Sequence, residues 1–84
     1  MDREAALDRI VEVLKPYLGA TMAAAATRAH CDKLGITGGE LRPEQLEALL
    51  VRLGSGLAVF VGRESTARVL DEIRQALAAG GSAP

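Results

Sequence analysis

An all-α fold, a small bundle of four helices, is what this sequence predicts, and three observations predict it. Apolar residues recur three and four apart in four separate stretches, the spacing of a helix with one face in a core. Proline and glycine fall between those stretches, where helices start and stop. No run alternates apolar and polar residues between turn signals, as a half-buried strand would.

The first helix is expected over Asp2–Leu14, with Leu7, Ile10, Val11 and Leu14 on one face and Asp8, Arg9, Glu12 and Lys15 mostly on the other. Pro16 should end it, because proline lacks an N–H and biases Lys15 away from the α region. Tyr17-Leu18-Gly19 then reads as a corner or the first turn of the next helix. A second helix is expected over Ala20–Leu34, with Thr21 as N-cap and an alanine-rich surface that lets another helix approach closely. Gly35 stands where a left-handed C′ residue belongs, and Ile36 can pack back on Cys31 in a Schellman ending. Thr37-Gly38-Gly39-Glu40 is the internal loop.

The third helix is expected from Pro43 to about Val61. Pro43 sits at N1, Glu44 near the positive end of the dipole and Gln45 at the N3 position of a capping box. Leu41 can staple onto Leu46, while Arg42 is a poor N-cap. Leu46, Leu49, Leu50, Leu53, Leu57, Phe60 and Val61 keep one helical phase through Gly54-Ser55-Gly56. Two glycines inside a helix cost about 2 kcal/mol relative to alanine, so Gly54 and Gly56 read as close-packing or hinge positions. Gly62 separates a fourth helix, Arg63–Ala79, or, so short a link being allowed, leaves it continuous with the third; its stripe is Val69, Leu70, Ile73, Ala76 and Leu77 and its outer face offers Glu64/Arg68 and Arg68/Glu72 pairs. Residues 1–79 are thus one domain, and 80–84 a disordered tail after a stop at Gly80. No internal repeat is expected.

The chain has 84 residues, with one Tyr, one Phe and no Trp, so its core must come from Leu, Ile, Val and Ala. A core of that size leaves little net stability alone. A single Cys cannot staple it, and burial against another molecule is the remaining source. A homo-oligomer, simplest as a dimer completing the bundle, or a complex with another protein is therefore expected. Leu50, Leu53, Leu57, Phe60 and Val61 are the expected contact residues, from a stripe with more apolar surface than one side of a small bundle needs; the alternative is a central helix contacted from two sides within the chain.

Other functions find little in the residues. Hydrophobic residues make up 49% and the net charge is −1, which excludes a disordered chain. Ten basic and eleven acidic side chains are interspersed, leaving no electrostatic footprint for a phosphate backbone. The nucleic-acid alternative rests on Arg63 and Arg68 near a helix start. His30, Cys31 and Asp32 point about 100° apart on a helix, and no second His or Cys completes a metal site or a nucleophile–base pair. No catalytic residue, cofactor or small-molecule substrate is assigned. Arg63, Ser65 and Thr66 at a helix N-terminus form a candidate anion contact. The uninterrupted apolar stretches are too short to span a bilayer, and Met1–Lys15 lacks the basic start and apolar block of a signal peptide, so a cytoplasmic protein is expected.

Tyr17-Leu18-Gly19-Ala20-Thr21-Met22, the Ala/Arg-rich helix through Arg28 and the Leu-rich Leu41–Leu53 resemble a short helical module found at the ends of bacterial serine/threonine kinases and other signalling proteins. The likeness covers residues 7–61, with Ala20 where that module usually has Pro. It implies a non-catalytic regulatory or adaptor module and carries no functional residues across.

Overall fold

The computed structural model describes residues 1–81, with side chains through Ala78. Three helical elements follow one another: α1 (Arg3–Leu18), α2 (Ala20–Lys33) and α3 (Pro43–Gly81). Among the described residues there is no strand, only an isolated antiparallel bridge between Asp2 and Glu40.

Asp2 caps α1, its Oδ2 accepting the Ala5 N–H at 2.9 Å. The helix then runs through Pro16 to Leu18, beyond the expected end at Leu14. Near a C-terminus the proline forfeits a single intrahelical bond, and the next turn is closed by the Gly19 N–H on the Lys15 carbonyl at 2.8 Å. Gly19 turns the chain with φ 83° and ψ 158°, a region that only glycine occupies freely. Its carbonyl already accepts the Ala23 N–H at 2.9 Å, so Gly19 is the N-cap of α2 in place of Thr21.

The end of α2 is the expected Schellman motif. Ile36 N–H donates to the Cys31 carbonyl at 3.0 Å and Gly35 N–H to that of Asp32 at 3.1 Å. Gly35 has φ 70°, and Ile36 and Cys31 are both buried. The loop beyond is held by the N-terminus, where Arg3 N–H donates to Gly39 at 2.8 Å and Leu41 N–H to Met1 at 2.7 Å.

α3 starts at Pro43, and Gln45 Oε1 accepts the Arg42 N–H at 2.9 Å, the returning half of a capping box. Helix continues unbroken through Gly54-Ser55-Gly56, so neither glycine is a hinge. The break is at Gly62, with φ 81° and ψ 169°, which divides α3 into arms 43–61 and 63–81. The expected junction of a third and a fourth helix is therefore a kink inside one helical element. The second arm runs through Gly80 to Gly81, past the expected stop, and the rest of the expected tail lies outside the described residues.

The two hinges bring out a repeat where residue identity predicts none. Gly19 and Gly62 share one backbone conformation and stand 43 positions apart. In that register Glu4, Ala5, Leu7, Arg9, Leu14, Ala24 and Leu34 fall on identical residues at Glu47, Ala48, Leu50, Arg52, Leu57, Ala67 and Leu77. Buried Ile10 falls on buried Leu53, and Tyr17 on Phe60. Each unit is helix–glycine–helix, and each is closed by an ion pair from the same glutamate position. Arg28 meets Glu4 at 3.2 Å and Arg74 meets Glu47 at 3.0 Å. The likeness is diluted by alanine and leucine throughout the chain, so hinge geometry reveals what residue identity hides.

The core joins Leu7, Ile10 and Leu14 of α1, Ala23 and Cys31 of α2, and leucines, Val69 and Ile73 from both arms of α3. Its two buried hydroxyls are satisfied one turn back, Thr27 on the Ala23 carbonyl at 2.8 Å and Thr66 on that of Gly62 at 2.7 Å. The radius of gyration is 11.9 Å, matching the value of about 12 Å for a compact chain of this length.

Candidate protein-interaction groove

The expected contact residues divide sharply. Leu50, Leu53 and Leu57 are 0%, 3% and 2% exposed, so they belong to the chain's own core. The apolar stripe that suggested a partner is contacted from several sides within one molecule. Val61 is half-buried, and Phe60 alone of the five is open, at 64%. Outside the expected set, Met22, Val51 and Val59 are open at 48%, 68% and 83%. Met22 stands alone among alanines with no apolar periodicity to single it out, and Val51 and Val59 lie off the leucine phase.

Phe60 and Met22 stand at the mouth of a cleft of about 50 Å³ between α2 and the first arm of α3. Leu18, Ala26 and His30 line it from one side and Leu53, Gly56 and Leu57 from the other. Gly56 helps to make the cleft, because a Cβ placed there would meet nothing within 4 Å. Gly54 behaves oppositely. Its Cβ would lie 3.0 Å from Leu70 Cδ1, so it is the close-packing glycine, set between the arms of α3.

The repeat explains why a cleft exists on this side. The positions equivalent to Gly56, Ala26 and His30 are Val13, Val69 and Ile73, and the last two are fully buried. Tyr17, the counterpart of Phe60, is tied down by its hydroxyl donating to Glu72 at 3.1 Å. That hydrogen bond raises the Tyr17 pKa. At these equivalent positions one half carries larger side chains and a tied Tyr17, whereas Gly56, Ala26 and Phe60 leave the other open.

Electrostatics mark one end of the cleft. Burial lowers the His30 pKa, and the positive charges of Lys33 and Arg52 lower it further, so both cations stand near the imidazole. His30 Nδ1 is buried without a hydrogen-bond partner. Burial likewise raises the pKa of the Cys31 thiol, which leaves it a core side chain and a poor nucleophile.

The remaining expectations find less. Thr66 commits its hydroxyl to Gly62 and is buried, which takes it out of an anion site with Arg63 and Ser65. Arg63 and Arg68 are exposed but interspersed with Glu64, Asp71 and Glu72, so they form no basic stripe. Neither expected pair of Arg68 is closed, and Glu72 serves Tyr17 instead. Among the described residues no group of three His, Cys, Asp or Glu is placed to hold a metal. A broader depression of about 470 Å³, lined by Ala5, Asp8, Arg9, Glu12, Val13 and Ala76, lies open to solvent. The Pro43–Ala78 segment contains an 18-residue window of mean hydropathy 1.4, long and apolar enough to cross a membrane by length and composition. Only 22% of that window is buried within the chain.

No protein-family model, curated protein or solved structure matches the chain. The likeness to a kinase accessory module therefore rests on the residues that suggested it.

Proposed function

We propose that this chain is a non-catalytic protein-interaction module that works through the cleft between α2 and the first arm of α3. The observation that carries the reading is Phe60, an aromatic ring left 64% exposed beside exposed Met22 at the mouth of an apolar cleft. Large exposed apolar side chains that cluster around a concave site are what a partner covers. The occupant is either a second copy, which would complete the small bundle as a dimer, or a different protein with a regulatory or adaptor relation to this one.

Light scattering behind a sizing column, from micromolar to millimolar protein, tests the self-associating form. A dimer that Phe60→Asp returns to monomer with unchanged helical circular dichroism makes the cleft a self-interface. A clean monomer gives the cleft to a different protein. An assembly that survives both Phe60→Asp and Met22→Asp overturns the cleft as the working surface.

A further inference from the structure

Both walls of the cleft come from stretches without a negative charge. No Asp or Glu occurs from Val13 to Cys31 or from Ala48 to Arg63, although the chain holds eleven acidic residues. The cations at the His30 end, Lys33 and Arg52, are outside the six ion pairs of the described residues. The surface is therefore apolar in the middle and carries two cations against the single exposed acid Asp32 at the His30 end, a net positive end.

A second copy matches this surface poorly. Face to face, two such clefts oppose Lys33 and Arg52 with the same charges. The face with Asp8 and Glu12 on α1 and Asp71 and Glu72 on the second arm mixes those acids with Arg9 and Arg68. It lacks an exposed aliphatic knob, because Val13 there is half-buried.

Resting on the reading of the chain as an interaction module, we propose that the cleft takes an amphipathic helix of another protein, with an aliphatic knob followed by acidic residues. The knob enters between Gly56 and Ala26, filling the space that Val13 and Val69 occupy in the other half of the repeat. The acids meet Lys33 and Arg52. Helix-in-groove recognition of this kind combines apolar anchors at helical spacing with charges that set orientation and partner choice.

The test uses the full chain, isotope-labelled for NMR, and two synthetic helical peptides. One has a leucine stripe flanked by Glu, and its twin carries Lys at the same flanking positions. The Glu peptide is expected to shift signals of Met22, Ala26, His30, Gly56 and Phe60. The Lys twin should bind roughly tenfold more weakly, the combined effect of two exposed charge pairs. Gly56→Val should remove binding while the fold persists, since the added side chain projects into open space. Arg52→Glu together with Lys33→Glu should invert the preference between the twins.

Equal affinity for the twins, binding that Gly56→Val leaves intact, or no binding of either peptide overturns the proposal. So does a wild-type dimer that covers Phe60, or uptake by phosphatidylcholine vesicles that buries it. The dimer result leaves the interaction-module reading standing. Assembly indifferent to Phe60→Asp and Met22→Asp removes that reading as well.

Discussion

The same substitution, glycine to alanine, should give three different outcomes at three positions along α3. At Gly56 the backbone is helical, the position is exposed and a Cβ meets nothing within 4 Å. Alanine there removes only the conformational entropy that glycine loses on folding, so Gly56→Ala should stabilise by about 1 kcal/mol. At Gly54 the same gain opposes a 3.0 Å approach to Leu70 Cδ1. The tip of half-buried Leu70 must shift where it flanks the core, and overpacking costs about 1–3 kcal/mol, so Gly54→Ala should be destabilising by up to about 2 kcal/mol. At Gly62 there is space for a Cβ, but φ is 81° and ψ 169°. An L-residue held there costs on the order of 1–3 kcal/mol. For a domain of this size each kcal/mol moves Tm by about 4–8 °C. Thermal and urea unfolding followed by circular dichroism should therefore rank the variants Gly56→Ala, wild type, Gly54→Ala, with Gly62→Ala also below wild type. If Gly62→Ala stabilised the protein as much as Gly56→Ala, α3 would be a straight helix. The two-arm architecture and the repeat built on its hinge would both fall.

Three further outcomes follow from burial and charge. Leu53→Asp places a carboxylate in the core at a residue 3% exposed, and should abolish cooperative thermal unfolding, whereas Phe60→Asp should shift Tm by only a few degrees; equal effects would contradict the assignment of Leu53 to the private core. Cys31 should resist thiol reagents in native protein and react at the free-thiol rate in denaturant, because burial raises its pKa and shields the sulfur; rapid native labelling would refute that. The folded-state pKa of His30 is lowered, so the unfolded chain binds its proton more readily. The His30 contribution is full above the unfolded pKa of about 6.5 and declines as pH falls toward the folded value. A urea midpoint series across this range should show a smaller acid loss in His30→Gln, and an unchanged slope would show that His30 is not responsible.

The all-α class, the Schellman ending of α2, the Pro43 start with its Gln45 cap and the central phase of α3 are determined by the sequence itself. Each depends on residues within about one or two helical turns, where spacing, propensity and capping act directly. Pro16 was expected to end α1, but a proline in the last turns gives up one hydrogen bond, and Leu18 continues the apolar face that packing rewards.

The site was legible only as a surplus of apolar residues on α3. Sequence spacing places Leu50, Leu53, Leu57 and Phe60 on one broad stripe, yet it cannot say which side of that stripe meets α2 or the second arm. Tertiary packing decided it, burying the three leucines and leaving Phe60 beside Met22, a residue 38 positions away. The same holds for the glycines. Composition marks Gly54, Gly56 and Gly62 alike, whereas the atoms around them make one a close contact, one the floor of a cleft and one a hinge. Local rules set where helices form, and the burial of whole faces against distant segments sets which residues remain free to meet another molecule.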